Sequence, residues 1–263
     1  YSCCYTNESI LREKKTRIIQ KKMDETVRFL DLNEEPIDLD QHVSPIDGYE
    51  IQPILPLLET IKPISHLFKQ IESYAKQALD NCQKPSDSLT QDESAAIYLY
   101  TMQFRNETSL YTQLNHSLRT EIHDQVQPWF SYLKLFLTAL HKLPSMTGTI
   151  FRGVKGVHLT SEYKTKRDIF WWGVSSCTKT ISLMESELFL GKNGLRTLIS
   201  IESINGKSIT NHSHFKHKED EVILMPGTHL QLIGKTNPST DLFIIQLREV
   251  ARSARTSLLK SSI

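Results

Sequence analysis

Pro144 divides this sequence into two halves with different patterning. After it come TIFRGV, FWWGVSSCT, RTLISIES, EVILM, HLQLIG and DLFIIQLREV, short runs rich in β-branched and aromatic residues and bounded by Gly, Asn, Pro or Lys. Such runs read as strands, because branched and aromatic side chains suit a pleated surface. Before Pro144 the apolar residues fall at helical spacing. Helices first and strands afterwards imply an α+β fold, a helical N-terminal half followed by a mostly antiparallel sheet.

Within the first half, Glu8 to Leu30 is charged, with Ile10, Leu11, Ile18, Val27 and Leu30 loosely spaced as in a helix. Asp31 to Pro63 is rich in proline and acids and reads as an extended connection. Helical spacing returns from Ile64 to Leu79. Thr90 with Glu93 three residues on has the spacing of a capping box, and Ala95, Ala96, Leu99 and Tyr100 follow it. Another helix is expected from Thr108 or Ser109 through Leu110, Leu114 and Leu118, and Pro128 should begin the next. The expected organisation is an N-terminal segment over 1–63, one domain over 64–250 (helical over 64–145, β over 146–250) and a basic, Ser-rich tail over 251–263.

Lys plus Arg is 31 and Asp plus Glu is 30, a net charge of +1, which argues against a dedicated nucleic-acid binder. No apolar run approaches the ~20 residues of a membrane span. The chain opens on Tyr1, so a fragment or processed product is expected, and a cytoplasmic and a secreted form both stay open. Cys3, Cys4, Cys82 and Cys177 lack the paired spacing of a zinc site and are expected as free thiols.

Three of the strand-like runs carry polar residues where core is expected. Arg152 stands in TIFRGV before Gly153. In FWWGVSSCT, period two puts Ser175 and Cys177 on one face, Val174 and Ser176 on the other. In KEDEVILM the same period aligns Glu219 with Glu221 if the strand starts that early, with Asp220 facing away. The stretch NHSHFKHKE clusters His212, His214, His217 and Glu219, but the spacing fits no common metal site. GKNG, Gly191 to Gly194, lacks the dinucleotide fingerprint.

Taken in order, an arginine strand, an aromatic-x-Ser-Ser stretch and Glu-x-Glu before an apolar strand resemble the arginine-specific mono-ADP-ribosyltransferases of the R-S-E type, the fold of vertebrate ecto-enzymes and clostridial toxins. Leu99-Tyr100-Thr101 and the FLTALHKLPSMTGTIFRGVKG stretch match the family's context, and the resemblance runs from Ser88 to Glu249. It departs at Cys177, where the family has serine.

The resemblance implies an ADP-ribosyltransferase-type β-sandwich core with an NAD cleft. NAD would be the co-substrate, with no metal, and the acceptor a protein arginine. A monomer is expected. Glu221 would stabilise the ribosyl cation, Glu219 would hold the acceptor guanidinium, and Ser175 would orient Glu221. Arg152 would clamp an NAD phosphate and Gly153 would admit the nicotinamide amide. Ser176 and Phe189 would complete the cofactor contacts, Phe189 by stacking on nicotinamide. Hydrolysis of NAD and a catalytically silent NAD-binding module are the other readings left open.

Overall fold

The structure is a computed structural model that describes residues 44–120, 123–160, 163, 168–186, 189–215 and 220–251. The expected helix over Glu8 to Leu30 and the basic tail beyond residue 251 lie outside the described residues. The helical layer comprises α1 (Leu57–Thr60), α2 (Ile71–Asn81), α3 (Gln91–Thr101), α4 (Leu110–Arg119), α5 (His123–Val126) and α6 (Phe130–Lys142). Residues 44–63, expected to be extended, are instead punctuated by short turns. A 3-10 turn covers Tyr49–Ile51, Pro56 caps α1, and Pro63 stands in the first turn of a 3-10 helix over Lys62–Leu67. Proline suppresses long helices but suits a first helical turn, where its missing N–H costs nothing.

α3 is the axis of this layer. Every residue from Glu93 to Thr101 is buried, so the helix is packed all round. Its N-terminus is closed by the capping box. The Glu93 amide donates to Thr90 Oγ1 at 3.2 Å, and the Thr90 amide donates to Glu93 Oε2 at 2.9 Å. Glu93 also pairs with Lys142 of α6 at 2.7 Å, and Tyr132 of α6 donates its hydroxyl to the Ala96 carbonyl. The cap therefore locks α3 to α6 as well as ending a helix. Thr90→Ala should lower stability by ~1 kcal/mol. That is about 2–4 °C in the melting midpoint for a chain of this size, checked by calorimetry. An unchanged midpoint would contradict the assigned cap.

The strands are β1 (Ser145–Lys155), β2 (Asp168–Trp171), β3 (Ser175–Thr178), β4 (Arg196–Ser208), β5 (Glu221–Leu224), β6 (Thr228–Ser239) and β7 (Leu242–Glu249). They form one seven-stranded sheet in the order β1-β3-β5-β4-β7-β6-β2, with a further pairing of β1 to β4. That extra pairing makes the sheet fork. β1 runs antiparallel to β4 along its length, from Ser145↔Lys207 to Lys155↔Arg196. β4 continues into parallel β7, then β6 and β2. The short β3–β5 ribbon bridges the fork, touching β1 at Phe151↔Thr178 and β4 at Lys207↔Ile223 and Ser208↔Val222.

The stretch FWWGVSSCT, read as one strand, is two. Trp171 ends β2 at one sheet edge, and Ser175 begins β3 at the other end of the strand order. Asn115 of α4 makes the break. Its Oδ1 accepts from the Val174 amide at 2.8 Å and its Nδ2 donates to the Val174 carbonyl at 3.2 Å. A side-chain amide thus satisfies Val174 in place of a neighbouring strand. Gly173 leaves room for this contact, since a Cβ would meet Asn115 Oδ1 at 3.2 Å.

The ribbon is buried on both faces. Cys177, Val222 and Leu224 enter the core between the branches of the fork, with Ile150, Val154, Ile199, Ile201, Ile245 and Leu247. Val174 and Ile223 enter the helical core with α3 and α6. Lys207 fastens the fork to the end of α6, donating from Nζ to the Leu143 carbonyl at 2.8 Å, and burial pulls its pKa below the ordinary lysine value. Cys82 and Cys177 are both buried, and Cys3 and Cys4 lie outside the described residues. Among the described residues no helix is long and apolar enough to cross a membrane.

Candidate active site

Glu221 opens β5 and is fully buried. The residue before it, Asp220, has φ of +43°, a left-handed bend that L side chains seldom adopt. Thr180 holds that bend by donating to Asp220 Oδ2 at 2.9 Å. β5 begins at Glu221, and Asp220 lies outside it. Glu219 lies outside the described residues, so its expected alignment with Glu221 has no structural account here.

Register decides which side chains Glu221 meets. Thr178 pairs with Glu221, Cys177 with Val222, Ser176 with Ile223 and Ser175 with Leu224. Residues opposite one another in an antiparallel pair share a face, and the face alternates along the strand. Glu221 therefore shares its face with Thr178 and Ser176, on the side of the helical core. Ser175 shares the opposite face with Cys177 and Leu224. The expected alternation holds, but the hydroxyl on the Glu221 side is the second serine, and the structure does not bring Ser175 to Glu221. The run of three hydroxyl-bearing residues, Ser175, Ser176 and Thr178, leaves the phase open in the sequence; only the register with β5 fixes it. Ser175 and Ser176 are both buried and the Oγ of each has no hydrogen-bond partner among the described residues, but only that of Ser176 lies on the Glu221 face. An unmatched buried hydroxyl costs ~1–3 kcal/mol, a cost a site retains when a ligand group will meet it.

A hydrogen bond to the Glu221 carboxylate comes from an unexpected residue. Ser213 Oγ donates to Glu221 Oε2 at 3.4 Å, and Ser213 is itself 1% exposed. Nothing in the local pattern NHSHF singles this serine out, since its partner is eight residues away across a loop.

Arg152 lies on the face of β1 that carries Ile150 and Val154, both in the core of the fork. It is 1% exposed, donates from Nη1 to the Ser176 carbonyl at 3.1 Å, and sits 5.9 Å from the Trp171 ring. Its guanidinium thus ties β1 to β3 at the residue that faces Glu221. A cation over an aromatic face and against a carbonyl is favourably placed even without solvent. Trp172 stacks on Phe170.

Gly153, one residue on, faces the other way. A Cβ there would lie 3.0 Å from Leu190 Cβ and 3.2 Å from Met184 Sδ. What presses on this glycine is therefore the segment after β3. Phe189 is 4% exposed and clusters with Met184 and Leu190, against which Phe151 and Leu198 pack. Because Phe151 pairs with Thr178, this cluster flanks the Glu221 side of β1.

The histidines turn away from one another. His212 bonds Ser94 through Nδ1 and Asp87 through Nε2, at 2.9 and 3.0 Å, while His214 Nδ1 meets the Tyr98 hydroxyl at 2.9 Å. His217 lies outside the described residues. Among the described residues, no group of three or more His, Cys, Asp and Glu is placed to hold a metal ion.

A helical layer packed on a forked sheet, with a buried glutamate at the head of the bridging ribbon, defines an ADP-ribosyltransferase-type catalytic fold. The family model for NAD:arginine ADP-ribosyltransferases matches residues 58–255, and the chain belongs to that family. NAD is accordingly its co-substrate. No curated protein matches the chain in sequence. Solved structures of low identity share the fold. The type III effector XopAI from Xanthomonas axonopodis pv. citri is 16% identical with a TM-score of 0.54, over 90% of this chain and 99% of that one. Exoenzyme S from Pseudomonas aeruginosa, solved with human 14-3-3 protein beta and carba-NAD, is 16% identical with a TM-score of 0.52, over 78% and 100%. The ADP-ribosyltransferase HopU1 of Pseudomonas syringae pv. Tomato DC3000 is 19% identical with a TM-score of 0.50, over 88% and 97%.

Proposed function

We propose that this chain transfers ADP-ribose from NAD to arginine side chains, with residues 64–250 as the catalytic domain. The observation that supports this best is the fully buried Glu221 carboxylate, facing Ser176 and Thr178, in a chain whose family uses NAD. The C1′–N bond of NAD breaks, and its electron pair leaves with nicotinamide. Positive charge then builds on the ribose, and a fixed carboxylate in a site shielded from water stabilises it strongly. The acceptor guanidinium nitrogen forms the new bond to C1′ and gives up one proton. The products are nicotinamide, ADP-ribosyl-arginine and that proton.

Glu219, two residues before Glu221, holds the guanidinium and takes its proton, since carboxylate and guanidinium match in charge and fork geometry. Ser176 supplies the free hydroxyl for the ribose or the carboxylate, the task expected of Ser175. Arg152 fixes the backbone of Ser176 and so maintains the cofactor site from behind, while Gly153 and Phe189 shape its rim.

The test compares nicotinamide release from NAD in the presence of a small alkylguanidine and of an alkylamine of equal length. The guanidine should raise the rate and gain the mass of ADP-ribose, and the amine should do neither. Nicotinamide release that ignores the guanidine and yields only free ADP-ribose would make the chain an NAD hydrolase.

A further inference from the structure

We infer that Ser213 helps to position the catalytic carboxylate, and that α3 holds Ser213 in place from the helical layer. This rests on the role of Glu221 proposed above. A serine hydroxyl has one proton and two lone pairs. In Ser213 a lone pair is taken by the Phe215 amide, which donates to Oγ at 3.2 Å. The proton is then left for Glu221 Oε2 at 3.4 Å, and both groups are excluded from water. The contact is long for a hydroxyl and a carboxylate, but a hydroxyl aimed at the carboxylate from a water-free loop biases its orientation before the substrate arrives.

The loop carrying Ser213 is stapled on both sides. The His212 and Ser213 amides donate to the Ile209 carbonyl at 2.9 and 2.8 Å, which forms the turn. On the upstream side His212, 2% exposed, uses both ring nitrogens. Hydrogen bonds from Ser86 and then Asn211 hold the Asp87 carboxyl below its ordinary pKa, so it accepts at neutral pH. His212 Nε2 therefore faces a carboxylate that accepts, and its Nδ1 meets the Ser94 hydroxyl of α3. On the downstream side the His214 amide donates to Thr101 Oγ1 of α3 at 2.7 Å, and its ring meets the Tyr98 hydroxyl. Both neighbours of Ser213 are thus anchored to one helix, buried from Glu93 to Thr101. The Leu99-Tyr100-Thr101 stretch gains a purpose beyond packing: its last residue holds the loop that aims Glu221.

The experiment measures NAD affinity by calorimetry, turnover by nicotinamide release and the melting midpoint, for Ser213→Ala, Ser213→Thr and Thr101→Val. Ser213→Ala should lose about tenfold in kcat, the scale of one hydrogen bond to a charged group, with NAD affinity unchanged. Ser213→Thr, which keeps the hydroxyl, should restore most of the rate. Thr101→Val keeps shape but removes the acceptor for the His214 amide, and should show the same loss in kcat alone, to a smaller degree. This variant decides the question should Ser213→Ala fail to fold. Near-normal kcat in Ser213→Ala, or in Thr101→Val if only that one folds, would overturn the inference. So would a parallel loss of NAD affinity, or a folded Ser213→Thr as slow as the alanine variant. Glu221→Gln is run beside them. If it turns over normally, the reading of Glu221 fails. If it is inactive while Ser213→Ala is not, the inference about Ser213 alone is wrong.

Discussion

Glu221→Gln should lower turnover by about 100- to 1000-fold, ~3–4 kcal/mol of transition-state stabilisation, the usual effect of deleting one preorganised electrostatic group. The amide keeps the size of the carboxylate and can still accept from Ser213, so the change isolates the charge. Glu221 is fully buried at a strand end, where its field on a developing ribosyl cation is little screened. That cation exists only as nicotinamide departs, so the lost energy belongs to the transition state and leaves the ground state alone. Folding should not suffer. A buried carboxylate is costly to desolvate, and a neutral amide in its place leaves the melting midpoint unchanged or higher.

Glu219→Gln is expected to separate acceptor from cofactor. NAD binding and nicotinamide release into water should persist, while kcat/KM for an alkylguanidine should fall by about 10- to 150-fold. That range corresponds to the ~1.5–3 kcal/mol of a hydrogen bond to a charged group. The physical reason is that glutamine can accept one hydrogen bond from the guanidinium but presents no charge to it and takes no proton from it. Transfer and hydrolysis are followed in one reaction, by separating free ADP-ribose from the guanidine product. Equal loss of both would place Glu219 in NAD chemistry and remove the basis for an arginine acceptor.

How much of this was legible in the sequence depended on how local each feature is. The Thr90–Glu93 cap and the start of α4 after Ser109 are set by residues within one helical turn of each other, and the structure places them as the spacing predicts; the helix expected to begin at Pro128 is entered through a 3-10 turn over Gln127–Trp129, with α6 starting at Phe130. The helices-then-strands order survived for the same reason. The fork did not show, because the choice of β4 as partner for β1 depends on contacts some fifty residues apart. FWWGVSSCT could not be divided from its own letters either, since the agent of the break is Asn115 on a helix. Period two along β3 was legible, but not which face would meet Glu221, and so Ser175 was favoured over Ser176. The clamp role expected of Arg152 comes from the resemblance; its contacts with the Ser176 carbonyl and the Trp171 ring are set by how the strands meet and have no local signature in the sequence. Ser213 and His212 were visible only as part of a histidine-rich loop. The α3 partners of the two histidines that flank Ser213, His212 and His214, lie more than a hundred residues earlier, and no spacing rule reaches that far.

The central claim is that the Glu221 carboxylate stabilises the departing ribosyl group more than it binds NAD. The direct measurement is the NAD dissociation constant beside the single-turnover rate of nicotinamide release, for the wild type and Glu221→Gln at equal protein concentration. The account predicts a dissociation constant within about threefold, under ~1 kcal/mol, together with the 100- to 1000-fold loss in rate. A variant that releases nicotinamide at near the wild-type rate, or that loses rate only in proportion to its loss of NAD affinity, would contradict it.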